Sequence, residues 1–323
     1  MIILTGASGF IGSCLLTHLN ASGYDRDVVV VDDFYKLYKD RNTDNKSVRE
    51  WMHRDIFLEW FEKTSQSIDF VLHIGARTDT TLMDVGVFDR LNLNYSKRIW
   101  NVCAEKDIPL IYASSAATYG DGSQGFIDDH ATIHDLKPLN PYGDSKHQFD
   151  IWALSQAKKP PFWVGCKFFN VYGPNEYHKN RMASVIYHTY QQIKATGGMK
   201  LFKSHRPDYL DGMQNRDFIY VKDIMSMIGF FMENQTVEHG IYNFGTGKAR
   251  TFLDLAKNTF QALGVEENIS YIDIPTDIRE TYQYFTEADT TKIRSQGYTK
   301  ECWSLEDGIY DYVTNYLRHQ KYY

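Results

Sequence analysis

Apolar runs of strand length, each followed by a stretch of helical spacing, recur from the first residues of the chain. Met1-Ile2-Ile3-Leu4-Thr5 is such a run, unbroken by polar residues, as in a strand buried on both faces of a parallel sheet. It leads into Gly6-Ala7-Ser8-Gly9-Phe10-Ile11-Gly12, and a helical pattern follows through Leu15, Leu16 and Leu19. Later runs lie at Val28–Val31, ending on Asp32, and at Asp69–Ala76, Ile108–Ala113 and Phe162–Phe169. The polar residues 33–50 (Lys36, Lys39, Arg41, Lys46 and Arg49 among them) read as a solvated loop.

This alternation predicts an α/β fold: a Rossmann-type doubly wound parallel sheet with a smaller C-terminal α/β substrate-binding domain. Past residue 169 the alternation loosens. Strands at Phe218–Val221 and Gly240–Phe244, with the glycine turn to Gly247, return to the first body. The predicted division is therefore 1–169 plus roughly 212–248 for the dinucleotide-binding domain, and 170–211 plus 249–323 for the substrate domain. An amphipathic helix from Leu305 to Leu317 closes the chain.

Composition narrows the function classes. A net charge of −6 without a long basic run argues against nucleic acid as partner. The four cysteines (Cys14, Cys103, Cys166, Cys302) are scattered with no CxxC pair, so neither a disulfide framework nor a metal site is expected. No apolar run reaches transmembrane length, and the first strand begins at residue 2 with no room for a signal peptide. A cytoplasmic protein with no membrane partner is the expectation.

The candidate chemistry starts at the glycines. Gly6, Gly9 and Gly12 between a strand and a helix let backbone approach a pyrophosphate, and the helix N-terminus supplies amide donors. Asp32, at the end of the second strand, stands where a ribose-binding acid is expected. Cations after it would instead hold a 2′-phosphate, and spacing alone leaves NAD and NADP equally open. Gly75 and Ala76 end the third run, where small residues either lie against a cofactor or pack helix on sheet. Asn92 either bonds the cofactor region or caps the next helix. Ser115 sits at the carboxyl edge of the strand ending Ser114-Ser115, where ligands bind in open α/β sheets. Tyr142 and Lys146 share a helix face, and a nearby ammonium can lower a phenol from its usual value near 10. As a string the pair is ambiguous, since Tyr35–Lys39 and Tyr190–Lys194 match it. With Ser115 and the glycine loop it becomes a candidate general base for a sugar hydroxyl. After Asn170-Val171-Tyr172-Gly173-Pro174, the segment with Glu176, His178, Lys179, Arg181 and His188 reads as a lid for a phosphorylated ligand or as a surface loop. Arg216, before a strand, could hold a diphosphate bidentately.

Together, Gly6-x-x-Gly9-x-x-Gly12, Ser115, Tyr142-x-x-x-Lys146 and Asn243-x-Gly245-x-Gly247 resemble the extended short-chain dehydrogenase/reductases that act on nucleotide sugars. Within that group, Tyr112–Gly120, Phe169–Pro174, His178-Lys179, Met182–Val185 and Tyr282-x-x-Phe-Thr286 resemble the ADP-L-glycero-D-manno-heptose 6-epimerases. The resemblance implies Tyr142 and Lys179 as acid/base residues, with Ser115 and Lys146 completing the catalytic set. Contacts to the cofactor would come from Gly6, Gly9, Phe10, Ile11, Gly12, Asp32, Asp33, Lys39, Gly75, Ala76, Arg77, Thr78, Asn92, Lys146, Val171 and Lys179. Those to the nucleotide sugar would come from Ser115, Asn170, Arg181, His188, Phe202, Lys203, Ser204, His205, Arg216 and Tyr282. It implies NADP, with NAD possible, a homo-oligomer, and epimerisation at C6″ for lipopolysaccharide core heptose. Two places depart from the pattern: Arg206–Asn215 is longer than usual, and Arg181 replaces a small residue. The rival readings are a UDP-hexose 4-epimerase and a non-catalytic dinucleotide-binding regulator. An intact Ser115, Tyr142 and Lys146 weighs against the regulator.

Overall fold

The computed structural model describes residues 1–34, 39, 41–279 and 282–323. Lys36, and Tyr35 of one decoy pair, fall outside them. Six strands come first: β1 (Ile2–Thr5), β2 (Val28–Asp32), β3 (Glu50–His53), β4 (Phe70–His73), β5 (Leu110–Ser115) and β6 (Trp163–Phe168). Then β7 (Asn170–Tyr172), β8 (Met199–Phe202) and β9 (Asn215–Tyr220) leave that sheet, β10 (Gly240–Phe244) returns to it, and β11 (Ala249–Thr251) and β12 (Ile269–Ile272) leave again. The main sheet runs β3-β2-β1-β4-β5-β6-β10, with every neighbouring pair parallel. This is the predicted doubly wound sheet.

The helices that bear on the site are α1 (Phe10–Ala21), α2 (Arg54–Lys63), α3 (Tyr95–Glu105), α4 (Pro141–Ser155), α5 (Val185–Thr196), α6 (Val221–Glu233), α7 (Phe252–Leu263) and α8 (Leu305–Asp311). Apolar alternation sends Ile2, Leu4, Val28, Val30, Phe70 and Leu72 to one face of the sheet. Met1, Ile3, Val29, Val31 and Val71 go to the other. Each strand is therefore apolar on both sides, as the unbroken runs required. The chain builds β1 to β3 toward one edge, then restarts at β4 on the other side of β1. That reversal opens a crevice at the carboxyl ends of β1 and β4, where ligands bind in such sheets.

A smaller three-stranded sheet runs β11-β9-β7, and β8 pairs with β12 in parallel. It joins strands from both sides of the division expected from sequence, since β9 lies in the 212–248 return segment. Helical winding from Leu305 continues through a wide turn at Tyr312–Tyr316 to His319, covering the expected closing helix.

Residues 33–50 are not simply a solvated loop. Asn42 is 1% exposed, in a short 3-10 turn at Arg41–Thr43, and Glu50 already begins the edge strand β3. Only Met52 of β3 is buried, so no apolar run announced it. Asn92 is not a helix-opening cap either: winding begins at Val85 behind the Asp84 cap and passes through a wide turn at Asp89–Asn94.

Candidate active site

The glycine loop closes on itself in a way only glycine permits. Gly6 has φ +72°, and a Cβ there would lie 2.6 Å from the Gly75 Cα. At Gly12 a Cβ would run into the Gly6 carbonyl oxygen. So the loops after β1 and β4 meet backbone to backbone. The Gly75 amide donates to the Thr5 hydroxyl (3.1 Å), which faces His73 Nδ1 (2.7 Å), while His73 Nε2 faces the Ser96 hydroxyl (2.9 Å). Burial pushes this imidazole down to about 3, so it stays neutral and serves as a strut.

Asp32 ends β2 beneath the loop, accepting from the Ser8 and Asp33 amides at 2.8 and 2.7 Å. Lys39 pairs with it at 2.5 Å. Asp33 in turn pairs with Arg54 at 3.0 Å, and the Arg54 Nε, buried without a hydrogen bond, lies 3.7 Å from Asp55 Oδ1. Arg54 was missed from sequence because β3, which delivers it at the start of α2, had no apolar signature. Ser8 Oγ is likewise buried and unpartnered in the loop. Glycine backbone, an unpaired hydroxyl, an acid at the strand end and two flanking cations fit an adenine dinucleotide with its ribose and phosphates.

Asn92 acts on the second loop from behind. Its Oδ1 accepts from the Arg77 amide (2.8 Å), and its Nδ2 donates to the Arg77 carbonyl (3.0 Å) and the Ser145 hydroxyl (3.1 Å). Ser145 donates to the Tyr142 carbonyl at 2.7 Å. The turn Gly75-Ala76-Arg77-Thr78 is thereby tied to α4.

Helix α4 begins with the sequence signals for a helix start: Pro141 in the first turn and Asn140 accepting from the Gly143 amide at 2.8 Å. This cap fixes Tyr142 one residue into the helix, half-buried near Ser115 at the end of β5. Burial pushes the Tyr142 phenol up, and the Ser115 hydroxyl opposes it. Lys146 is 4% exposed and donates from Nζ to the Ala113 carbonyl at 2.7 Å, rather than to the phenol. Burial drags the Lys146 ammonium down to about 8. The simple expectation, an ammonium that itself lowers the phenol, is therefore corrected here: the lysine is anchored to β5.

Lys179 lies in a 3-10 segment, Tyr177–Met182, with Nζ 5.6 Å from the centre of the Phe10 ring in the glycine-loop helix. Burial lowers its pKa and Glu176 raises it. Glu176 is itself buried, accepting from the Gly173 amide (3.3 Å) and from the amide and hydroxyl of Ser184 (the latter 2.7 Å). Val171, on β7, is half-buried against the main core. So the expected catalytic set comes from three separate elements: β5 (Ser115), α4 (Tyr142 and Lys146) and the 3-10 segment (Lys179).

The expected sugar-nucleotide residues form two groups. In one, Arg216 is 6% exposed and lies 5.3 Å from the centre of the Tyr282 ring and 5.6 Å from that of Phe252, while Phe202 meets Tyr282 edge-on at 5.9 Å. Arg216 already donates to the Asn215 carbonyl at 2.8 Å and to that of Gln283. Lys203 is exposed and pairs with Asp273 at 3.8 Å. Ser204 closes the 204–211 loop through Asp211 (2.8 Å) and Arg206 (2.8 Å), and His205 accepts from the Ile274 amide at 3.2 Å. The long 206–215 segment is thus a self-bonded loop, with Arg206 over Tyr209 and Tyr284. In the other group, the carbonyl of exposed Arg181 lies 3.4 Å from His188 Nε2 on α5. Asn170, exposed on β7, accepts from Thr286 at 3.3 Å.

The family model for NAD dependent epimerases/dehydratases matches residues 2–245. The chain is 46% identical to the ADP-L-glycero-D-manno-heptose-6-epimerase of Fusobacterium nucleatum, over all of both chains. It is also 46% identical to that of Nitratidesulfovibrio vulgaris strain DP4, over 98% of each. The crystal structure of Helicobacter pylori ADP-L-glycero-D-manno-heptose-6-epimerase superposes with a TM-score of 0.80 at 27% identity, covering 97% of this chain and 95% of that one. With the glycine loop, the strand-end acid and the serine–tyrosine–lysine set all in place, the chain belongs to the NAD dependent epimerase/dehydratase family.

Proposed function

We propose that this protein epimerises C6″ of ADP-glycero-manno-heptose, interconverting the D-glycero and L-glycero isomers through a transient ketone on the sugar. Full-length relatives at 46% identity carry that activity in their names. The structural observation that carries the reading is the half-buried amine of Lys179 over Phe10, a second titratable group on an element separate from Tyr142.

A bound nicotinamide dinucleotide would supply reversible hydride transfer at C6″. Tyr142 moves the proton of the reacting hydroxyl in one orientation of the sugar, and Ser115 holds that oxygen. Lys179 serves the other orientation: burial lowers its pKa from the ordinary lysine value, which eases loss of its proton. Lys146, anchored on Ala113, holds the ribose side of the cofactor. Lys39 and Arg54, flanking Asp32 and Asp33, favour a 2′-phosphate and so NADP. Arg216, Tyr282 and Phe202 supply a cationic and aromatic platform for the ADP. The product is a precursor for lipopolysaccharide core heptose. A cytoplasmic homo-oligomer belongs to the same proposal, with light scattering on purified protein as the check on assembly.

The decisive assay follows the C6″ proton of ADP-D-glycero-D-manno-heptose by NMR. Appearance of the L-glycero isomer is expected; its absence alongside turnover of UDP-glucose would hand the site to hexose 4-epimerisation.

A further inference from the structure

One buried carboxylate beneath the site has no part in the chemistry above. Tyr142, Lys146 and Asp150 follow one another at four-residue steps along α4, so all three lie on one stripe. Asp150 is 0% exposed. Its Oδ1 accepts from the Tyr112 hydroxyl (3.0 Å) and its Oδ2 from the Ser114 hydroxyl (2.6 Å), both on β5. The next residue of β5 is Ser115, and the Lys146 ammonium is bonded one residue earlier, to Ala113. The carboxylate therefore bolts the helix carrying Tyr142 and Lys146 to the strand carrying Ser115.

We propose that Asp150 is a positioning residue and the counter-charge of the catalytic set, keeping Lys146 an ammonium and fixing α4 on β5. The inference rests on the assignment of Tyr142 and Lys146 to catalysis.

The surroundings bear on the charge. Tyr112 and Ser114 face Asp150 from β5, Cys166 and Lys167 from β6, Lys146 and Tyr142 from α4, and Tyr119 from the turn after β5. Burial pushes the carboxyl up, while the Lys167 ammonium, the two hydroxyls and Lys146 hold it down. Lys167 is itself 2% exposed, 4.1 Å from the centre of the Tyr119 ring. Two hydroxyl donors and two ammonium neighbours favour the ionised form. In the other direction, Asp150 is what raises Lys146 against the burial that lowers it to about 8. A lysine this buried and stripped of its opposite charge gives up its proton more readily still. It could then not donate fully to a ribose hydroxyl.

The test is Asp150→Asn in the full-length protein, read two ways. Lysine side-chain 15N titration, assigned with Lys146→Met, reports the Lys146 midpoint without substrate; a fall of roughly one unit from the wild-type value is expected. The alkaline limb of the epimerisation pH profile should fall with it. Lys179, which Asp150 does not reach, should titrate unchanged. Tyr112→Phe with Ser114→Ala leaves the carboxyl in place and removes the bolts together with two donors that hold it down: slower turnover is expected, with the Lys146 midpoint falling no further than in Asp150→Asn. If Asp150→Asn does not fold, Asp150→Ser removes the charge without an amide facing two hydroxyl donors. An unchanged Lys146 midpoint in the neutral variant overturns the proposal. Absence of epimerisation in the wild type would overturn the functional reading instead, and the titration would still decide this one.

Discussion

Asn42→Ala is the most informative single substitution outside the reacting groups. The Asn42 amide nitrogen lies 3.0 Å from the Ser8 carbonyl of the glycine loop, 3.0 Å from the Asn175 carbonyl and 3.1 Å from His178 Nδ1. Burial holds the His178 ring down at about 4, so it is neutral at assay pH. One side chain thus latches the cofactor loop to the segment that ends in Lys179. Alanine strips one donor from each of two buried carbonyls, of which that of Asn175 still faces His178 Nδ1 at 3.1 Å. At about 1–2 kcal/mol apiece, stability should fall by roughly 2–4 kcal/mol. Urea denaturation measures this, with Asn20→Ala as control. Asn20 makes comparable bonds to Ser47 at the surface (2.9 Å each), and its loss should stay within about 0.5 kcal/mol. Turnover should suffer beyond stability, since a shift of about 1 Å in a reacting group can cost on the order of 100-fold. Equal stability of the two variants would refute the energetic reasoning. Full turnover by a destabilised Asn42→Ala protein would refute the latch.

Three further outcomes are expected. Lys179→Ala should lower epimerisation by on the order of 100-fold or more while copurifying dinucleotide is retained, measured by NMR and mass spectrometry. Lys39→Gln with Arg54→Gln should weaken NADP+ by at least roughly tenfold more than NAD+ in calorimetric titration, because each cation that meets a 2′-phosphate contributes a charge-assisted bond. Asp223 is buried with both oxygens on the Trp303 amide (3.1 and 3.3 Å), and burial raises it from 3.8 to about 7. The folded state then holds this proton more tightly than the unfolded chain, so its contribution is lost as pH rises from about 4 to 7. The stability of Asp223→Asn relative to wild type should climb across that window and level off above it. A flat difference in urea midpoints would contradict the shift.

What the sequence made legible has a common physical basis. β1, β2, β4, β5 and β6 are buried on both faces, and a run such as Val28–Val31 has few other homes. Gly6 and Gly12 were legible because a turn packed backbone to backbone excludes every other residue. Tyr142 and Lys146 followed from helical spacing once Asn140-Pro141 marked the helix start. β3 was illegible because an edge strand with one buried residue has no apolar run, and Arg54 went with it. Asn42 and Asn92 were opaque for another reason. An amide reads as a loop or cap residue until three-dimensional neighbours give it carbonyls to bond, and those come from residues 8, 77 and 175.

The two amines that matter most share a design that sequence spacing does hint at. Lys146 and Lys179 are both pulled down by burial, and each is opposed by a carboxylate from its own stretch of chain: Asp150 one helical turn after Lys146, Glu176 one turn before Lys179. A buried amine with no such partner would be neutral throughout the working range, and one exposed to water would stay charged through it. The intermediate case keeps Lys146 an ammonium and eases proton exchange at Lys179, as proposed. Each carboxylate must itself be kept ionised without solvent, which is what the hydroxyls of Tyr112 and Ser114 do for Asp150 and the amide and hydroxyl of Ser184 do for Glu176. Ser115, Tyr142 and Lys146 could therefore be singled out from residue type and spacing and Lys179 from the family resemblance, whereas the charge state proposed for each amine depends on donors delivered by β5 and by the start of α5.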